Sequence, residues 1–311
     1  MSGRTPQQAY LDLQNLARAQ GRNTQQLFEL YIHERFLARL AESRFSEMLV
    51  LKGGMLLAVL EVRRPTRDAD MLARGLANDE ENLRAVVAEI AAIPMADGVS
   101  FDATDISITS IREDADYEGV RLALPTSLAG AVLKLRLDLS FGDPVKPQRI
   151  DYPTLLDDPD FPLLSYPLES VIAEKADTMM FLGDANTRDR DYSDIYLLSG
   201  IHPVEAESLR QALHTVANHR HHDVRPLRPL LETLRETRQQ PWEAFRARVG
   251  LTGLPERFSE VVDAVVKFVD GLQAENISYW NPAQRRWGRS LPHPDEHYEH
   301  HHVGQRSSSQ S

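Results

Sequence analysis

Residues 46 to 75, SEMLVLKGGMLLAVLEVRRPTRDADMLARG, set an apolar run, a glycine pair and two aspartates in close succession, and few folds tolerate that order. Met48 to Leu51 is too short an apolar run for an ordinary helix and, closed by Gly53-Gly54, reads as a buried strand. Without Cβ atoms the glycines allow a tight turn and a close approach of the backbone to another group. A helix from Met55, with Met55, Leu56, Val59 and Leu60 as its apolar face, would aim free N–H groups at that point, where a phosphate fits best. Arg63 to Arg67 then return the chain to a second strand, on which Asp68 and Asp70 point to one face. Two adjacent carboxylates repel unless a cation lies between them, and hard oxygen ligands beside phosphates suit Mg²⁺. Taken singly, the glycines read as a turn and the aspartates as a solvated strand end. Their order, strand, Gly-Gly, helix, strand, Asp-x-Asp, is what constrains the chain.

Three later stretches bear on the same chemistry. In Ala131 to Asp143, Leu133, Leu135, Leu137 and Leu139 alternate with Lys134, Arg136 and Asp138, the pattern of a half-buried strand with one charged face. Asp138 either pairs with Lys134 or Arg136 on that face or, if this strand lies beside the first aspartates, joins them as a third carboxylate; Lys134 and Arg136 would then sit near substrate phosphates. After Pro167, Leu168, Val171, Ile172, Lys175, Met179 and Leu182 recur at helical spacing, so Lys175 lies within an apolar face. It either snorkels at the edge of that face or is answered by an anion, a carboxylate or a phosphate. Asp191 and Asp194 share a face of the next helix, with Asp191 readable also as its N-cap.

Lys52-Gly53-Gly54, Arg64-Pro65-Thr66-Arg67-Asp68-Ala69-Asp70, Leu168 to Lys175, and Arg190-Asp191-x-x-Asp194 together resemble the AbiEii/AbiGii toxin group of nucleotidyltransferases, which includes the MenT toxins. The motifs span roughly residues 45 to 200. The resemblance implies an α/β fold of the DNA polymerase β-like nucleotidyltransferase type, a small mixed sheet flanked by helices with a helical C-terminal region. It implies catalytic roles for Asp68, Asp70, Asp138, Lys175 and one of Asp191 and Asp194, with Mg²⁺ or Mn²⁺ on Asp68, Asp70 and Asp138. It places Lys52, Gly53, Gly54, Arg64, Thr66 and Arg67 at the nucleotide. The implied reaction moves a nucleoside monophosphate from an NTP to a tRNA 3′ end, with a separately encoded antitoxin as partner. A small-molecule acceptor such as an aminoglycoside, or a nucleotide-binding module without catalysis, are the alternatives.

Composition narrows the setting. The chain has no cysteine, which removes disulfides and Cys-ligated zinc, and no run of eighteen apolar residues or N-terminal apolar leader, so a cytoplasmic protein without membrane contact is expected. A net charge of −11 argues against a protein coated in positive charge but leaves room for a local basic surface. The densest basic stretch, His219 to Arg228, reads as an RNA backbone contact or a solvated loop. Residues 6 to 45 read as helices, with Asn23-Thr24 as an N-cap between them, Asp79 to Ala92 as an amphipathic helix, and 99 to 111 and 120 to 124 as antiparallel strands. Six prolines between 143 and 167 predict a surface linker. The expected organisation is thus 1–150, N-terminal helices and catalytic sheet; 151–275, helices completing the nucleotide cleft; and 276–311, a disordered tail that includes the His-rich segment.

Overall fold

The computed structural model describes residues 3–114, 117–251 and 253–289. Two helices open the chain, α1 (Pro6–Gln20), capped by Thr5 in a capping box, and α2 (Thr24–Glu42), capped by Asn23. The strands β1 (Leu49–Lys52) and β2 (Ala69–Ala73) bracket a one-turn helix α3 (Gly53–Leu56); α4 (Glu80–Ala91) follows, capped by Asp79. Next come β3 (Val99–Phe101), β4 (Ser107–Asp114), β5 (Tyr117–Leu128), β6 (Ala131–Phe141), β7 (Gln148–Tyr152) and β8 (Phe161–Ser165). These eight strands form one mixed sheet in the order β3-β5-β6-β2-β1-β8-β7, with β4 paired to β5. β2 runs antiparallel to β1 and parallel to β6, and β1 runs parallel to β8.

The alternation in β6 works as the sequence predicts: Leu133, Leu135, Leu137 and Leu139 are all buried, and α2 packs over β6 and β8 to cover them. The C-terminal part is helical, with α5 (Leu168–Leu182), α6 (Asp189–Ile201), α7 (Ala206–His219), α8 (Glu232–Thr237), α9 (Gln239–Val249) and α10 (Phe258–Val269). α5 lies against α6 and α7, and α10 closes on α6. The chain is therefore a mixed sheet flanked by helices with a helical C-terminal region, the class expected from its motifs, although the sheet is larger than foreseen. No helix among the described residues is long and apolar enough to cross a membrane.

Three expectations need correction. The proline-rich stretch is not a surface linker throughout, because β8 sits between β1 and β7, with Leu163, Leu164 and Ser165 buried. The prolines permit this: Pro162 faces Asp151 of β7 and lies three residues before Ser165, where β8 meets β1, so its missing N–H is not needed on the β1 side. Hence the boundary drawn at 150 falls inside β7, and the helical part begins with α5. The tail drawn from 276 begins too early, since β10 (Tyr279–Asn281) and β11 (Arg286–Gly288) form a hairpin against the short β9 (Val204–Glu205). Trp280 anchors it, fully buried and donating from Nε1 to the Ser199 carbonyl at 2.6 Å, with its ring edge-on to Phe268 at 4.7 Å. The rest of the expected tail, 290 to 311, lies outside the described residues.

Candidate active site

The glycine pair turns the chain out of β1, and the first reason for it is internal. Gly53 has φ +61°, and any Cβ there would lie inside the Asp70 carboxylate; a Cβ on Gly54 would meet Thr66 Oγ1 at 2.6 Å. The Gly54 N–H instead donates to Asp70 Oδ2 at 3.3 Å. The helix expected from Met55 is only the single turn of α3, with Glu61 at φ 58° closing the turns after it. Leu57, Leu60 and Val62 keep the apolar side buried without a continuing helix. A phosphate at this turn would meet individual N–H groups rather than the dipole of a long helix.

Sheet register unites the strand aspartates. Lys52 faces Asp70 across β1 and β2, and Asp70 faces Asp138 across β2 and β6. Asp68, just before β2, takes a hydrogen bond from Thr66 Oγ1 at 3.2 Å. Asp68 and Asp70 both line the cleft. Asp138 answers neither Lys134 nor Arg136. Arg121, its cross-strand neighbour on β5, holds it with two hydrogen bonds, 2.7 and 2.5 Å, and also comes within 3.6 Å of Asp68. Bonding to Asp138 raises the pKa of the Arg121 guanidinium. Among the described residues no three acidic or histidine side chains converge as a metal-sized group. Asp68 and Asp70 remain as a carboxylate pair suited to Mg²⁺ that keeps waters and binds phosphates, while Asp138 stands next in register but engaged. Lys134 is exposed and Arg136 half-buried, and neither lines the cleft.

The opposite wall comes from α5 and α6. Lys175 does not snorkel; its Nζ sits 2.9 Å from Asp191 and 2.8 Å from Asp194. Asp194 is wholly buried and also accepts Arg64 Nε at 3.0 Å and Nη2 at 3.2 Å, a bidentate pair joining the β1–β2 connection to α6. Burial alone would lower the pKa of Lys175, but Asp191 and Asp194 outweigh it and hold the ammonium above its ordinary range. Burial likewise acts to raise Asp191, yet Lys175 and the charges of Arg190 and Arg188 bring it below. Asp191 is in the first turn of α6, after Arg188 at the N-cap, so it is not itself the cap. The two aspartates divide accordingly: Asp191 lines the cleft, whereas Asp194 lies behind it as the shared partner of Arg64 and Lys175.

Lys52 is tied into a polar knot on the cleft floor, 3.1 Å from Asp143 and 3.7 Å from Glu174. Ser140 and Tyr166 donate to the same Asp143 oxygen, at 2.8 and 2.5 Å. Arg64, for which a phosphate role was expected, spends its charge on Asp194, and Arg67 points into an adjoining groove rather than the cleft. Sequence reasoning missed Arg121, Glu174, Thr178, Arg188 and Arg220 as members of the site. The basic stretch from His219 is mostly structural: Arg220 reaches Asp177 and Thr178, each at 3.2 Å, and His222 reaches Asp177 at 3.0 Å and stacks on Phe181 at 4.1 Å. Its charges serve α5 and the cleft rim.

The family described as the nucleotidyl transferase AbiEii toxin of type IV toxin–antitoxin systems matches residues 35–264. No curated protein matches the chain. Among solved structures, JHP933 from Helicobacter pylori is 17% identical, with 77% of this chain and 91% of that one covered and a TM-score of 0.47. A further H. pylori protein, described as a candidate nucleotidyltransferase, is 15% identical, with 78% and 97% covered and a TM-score of 0.34.

Proposed function

The chain belongs to the AbiEii nucleotidyl transferase toxin family, for which an antitoxin is the implied partner, and on that premise we propose that it transfers a nucleoside monophosphate from an NTP to the 3′ hydroxyl of a tRNA. One observation carries the reading: the Asp68/Asp70 pair and the Lys175–Asp191–Asp194–Arg64 network face each other across one cleft behind the glycine turn. Acid on one wall and a fixed cation on the other suit a metal-bound triphosphate, which needs carboxylates for its ion and positive charge for its oxygens.

In this mechanism Asp68 and Asp70 would hold Mg²⁺, which would supply Lewis-acid chemistry to the α-phosphate and the attacking hydroxyl. The backbone of Gly53 and Gly54 lets the triphosphate come close. Lys175, kept protonated by its two aspartates, balances charge that develops on the leaving oxygens. The acceptor O3′ bonds to the α-phosphorus, the bond from that phosphorus to the bridging oxygen of the β-phosphate breaks, and pyrophosphate leaves with the electron pair. The hydroxyl proton passes to Asp138 once Arg121 has released it. Asp194 acts through Lys175 and Arg64 and is a positioning residue. A tRNA so modified would not be charged, and translation would stop.

The test is incubation of the purified chain with total tRNA, Mg²⁺ and each α-labelled NTP in turn, with Asp70→Ala alongside. Label entering tRNA from the wild type and absent with the variant is the expected result. Label in no RNA, with NTP bound, would overturn the acceptor assignment and favour a small molecule or an inactive module.

A further inference from the structure

A second groove of about 670 Å³ opens beside the cleft and shares Arg64, Thr66, Asp68, Arg188 and Arg190 with it. Its walls are the N-terminal turn of α2, the connection before β2, the start of α6 and the end of α9, four segments far apart in sequence. Arg67, Arg188, Arg190 and Arg248 line it, and none of the four has an ion pair with a carboxylate among the described residues. Arg248 rests over the Phe245 ring at 5.6 Å. The acids on these walls are Glu29, bonded by Gln25, and Asp189, held by Arg238 at 2.5 and 3.0 Å; Asp68 marks the inner end. Asn23, Gln25 and Gln26 add neutral hydrogen-bonding groups.

In a chain of net charge −11, four guanidinium groups with no carboxylate in ion-pair contact line one groove, and Arg188 and Arg190 feel Asp191 only through its longer-range field, so the lining favours an anion. We propose that this groove seats the phosphodiester backbone of the RNA acceptor, leading its end inward to Asp68. The proposal rests on the reading that the chain modifies an RNA, and adds where that RNA lies. The arginines contact phosphates, and the outer face of the Arg248 plane, backed by Phe245, offers a surface for an unpaired base. A polycationic small molecule would be repelled from the same walls. The basic run 219 to 228, bound to α5, is not needed for this role.

The experiment is fluorescence anisotropy of a labelled twelve-nucleotide RNA with the full chain, without NTP, across a series of salt concentrations. Arg67→Glu/Arg248→Glu changes two exposed groove residues; Arg149→Glu/Lys267→Glu makes the same change in net charge at exposed positions outside cleft and groove. The groove variant should bind at least about tenfold more weakly, with the slope of log K against log salt reduced by about 0.7 for each lost phosphate contact. The control should follow the wild type. Equal binding by the groove variant, or equal weakening by the control, would overturn the proposal. Because no NTP is present, a negative result here leaves nucleotidyl transfer itself standing, and groove-dependent binding without any label transfer would sink the transfer reading alone.

Discussion

The two walls of the cleft are built on opposite electrostatic principles. On the strand side Asp68 and Asp70 are half-buried and line the cleft, where they accept from Thr66 and the Gly54 N–H and where Arg121 comes within 3.6 Å of Asp68. On the helix side Lys175, Asp191, Asp194 and Arg64 satisfy one another within a buried network. The first wall turns two carboxylates to the cleft, where a cation could bridge them, and the second carries its charge ready-made. The strand wall should therefore matter for chemistry with little consequence for stability, and the helix wall for both.

The largest effect expected is that of Asp70→Ala, which removes one carboxylate of the pair. Transfer should fall by about 10³-fold or more, while the urea midpoint stays within the error of the wild type. A variant that unfolds as easily as it loses activity would show that the strand wall is structural and erase the distinction. On the other wall, Asp194→Ala leaves the Arg64 and Lys175 charges buried with fewer partners. Breaking such a network by removing one member costs about 3–5 kcal/mol, readable by urea denaturation, with activity lost as well. An Asp194→Ala protein of native stability that has nevertheless lost transfer would mean that Asp194 touches substrate, contrary to its place behind the cleft.

Arg121 is where the two principles meet, since it supplies the strand wall with an internal cation at Asp138. Its side chain is 39% exposed, so Arg121→Gln should cost no more than about 1 kcal/mol. It should also free Asp138 beside Asp70, and calorimetry with Mn²⁺ alone is expected to show binding tightened by about tenfold. Unchanged Mn²⁺ affinity would restrict Asp138 to the role of Arg121's partner and leave the metal to Asp68 and Asp70.

What could be read beforehand follows the range of each interaction. The strand–glycine–strand order and the alternation in β6 are local, and they put Asp70 and Asp138 on strands with Asp68 close by, but that the two strands are neighbours is set by the register of β2 on β6. Lys175 was identifiable because an ammonium in an apolar helix face demands an anion, and the aspartates that answer it lie only 16 and 19 positions on. Arg64 was placed at the nucleotide because nothing local shows that its partner is 130 residues away. Arg121 escaped notice because which residue faces Asp138 is set by the register of β5 on β6. Pro162 misled for a related reason: proline excludes a central ladder position, but not a strand whose free side lies beyond its neighbour's end. The groove arginines come from three separate segments, so no basic run announces them.

The smallest expected effect is a flat pH profile, and it decides what Lys175 does. Its pKa in the folded chain is raised above the ordinary 10.5, so its contribution to stability is fully present below that value and is lost as pH rises through the folded pKa. Asp191 is lowered below 3.8, so its contribution is present above that value and is lost as pH falls through the folded pKa. Between about pH 5 and 9 neither group changes charge. The melting-temperature difference between wild type and Asp191→Asn should then be constant from pH 6 to 9 and shrink only in strong acid. A difference that varied across pH 6 to 9 would mean that a proton leaves the network near neutrality, making Lys175 a candidate base. A constant one leaves it a fixed cation, with proton removal left to the strand wall.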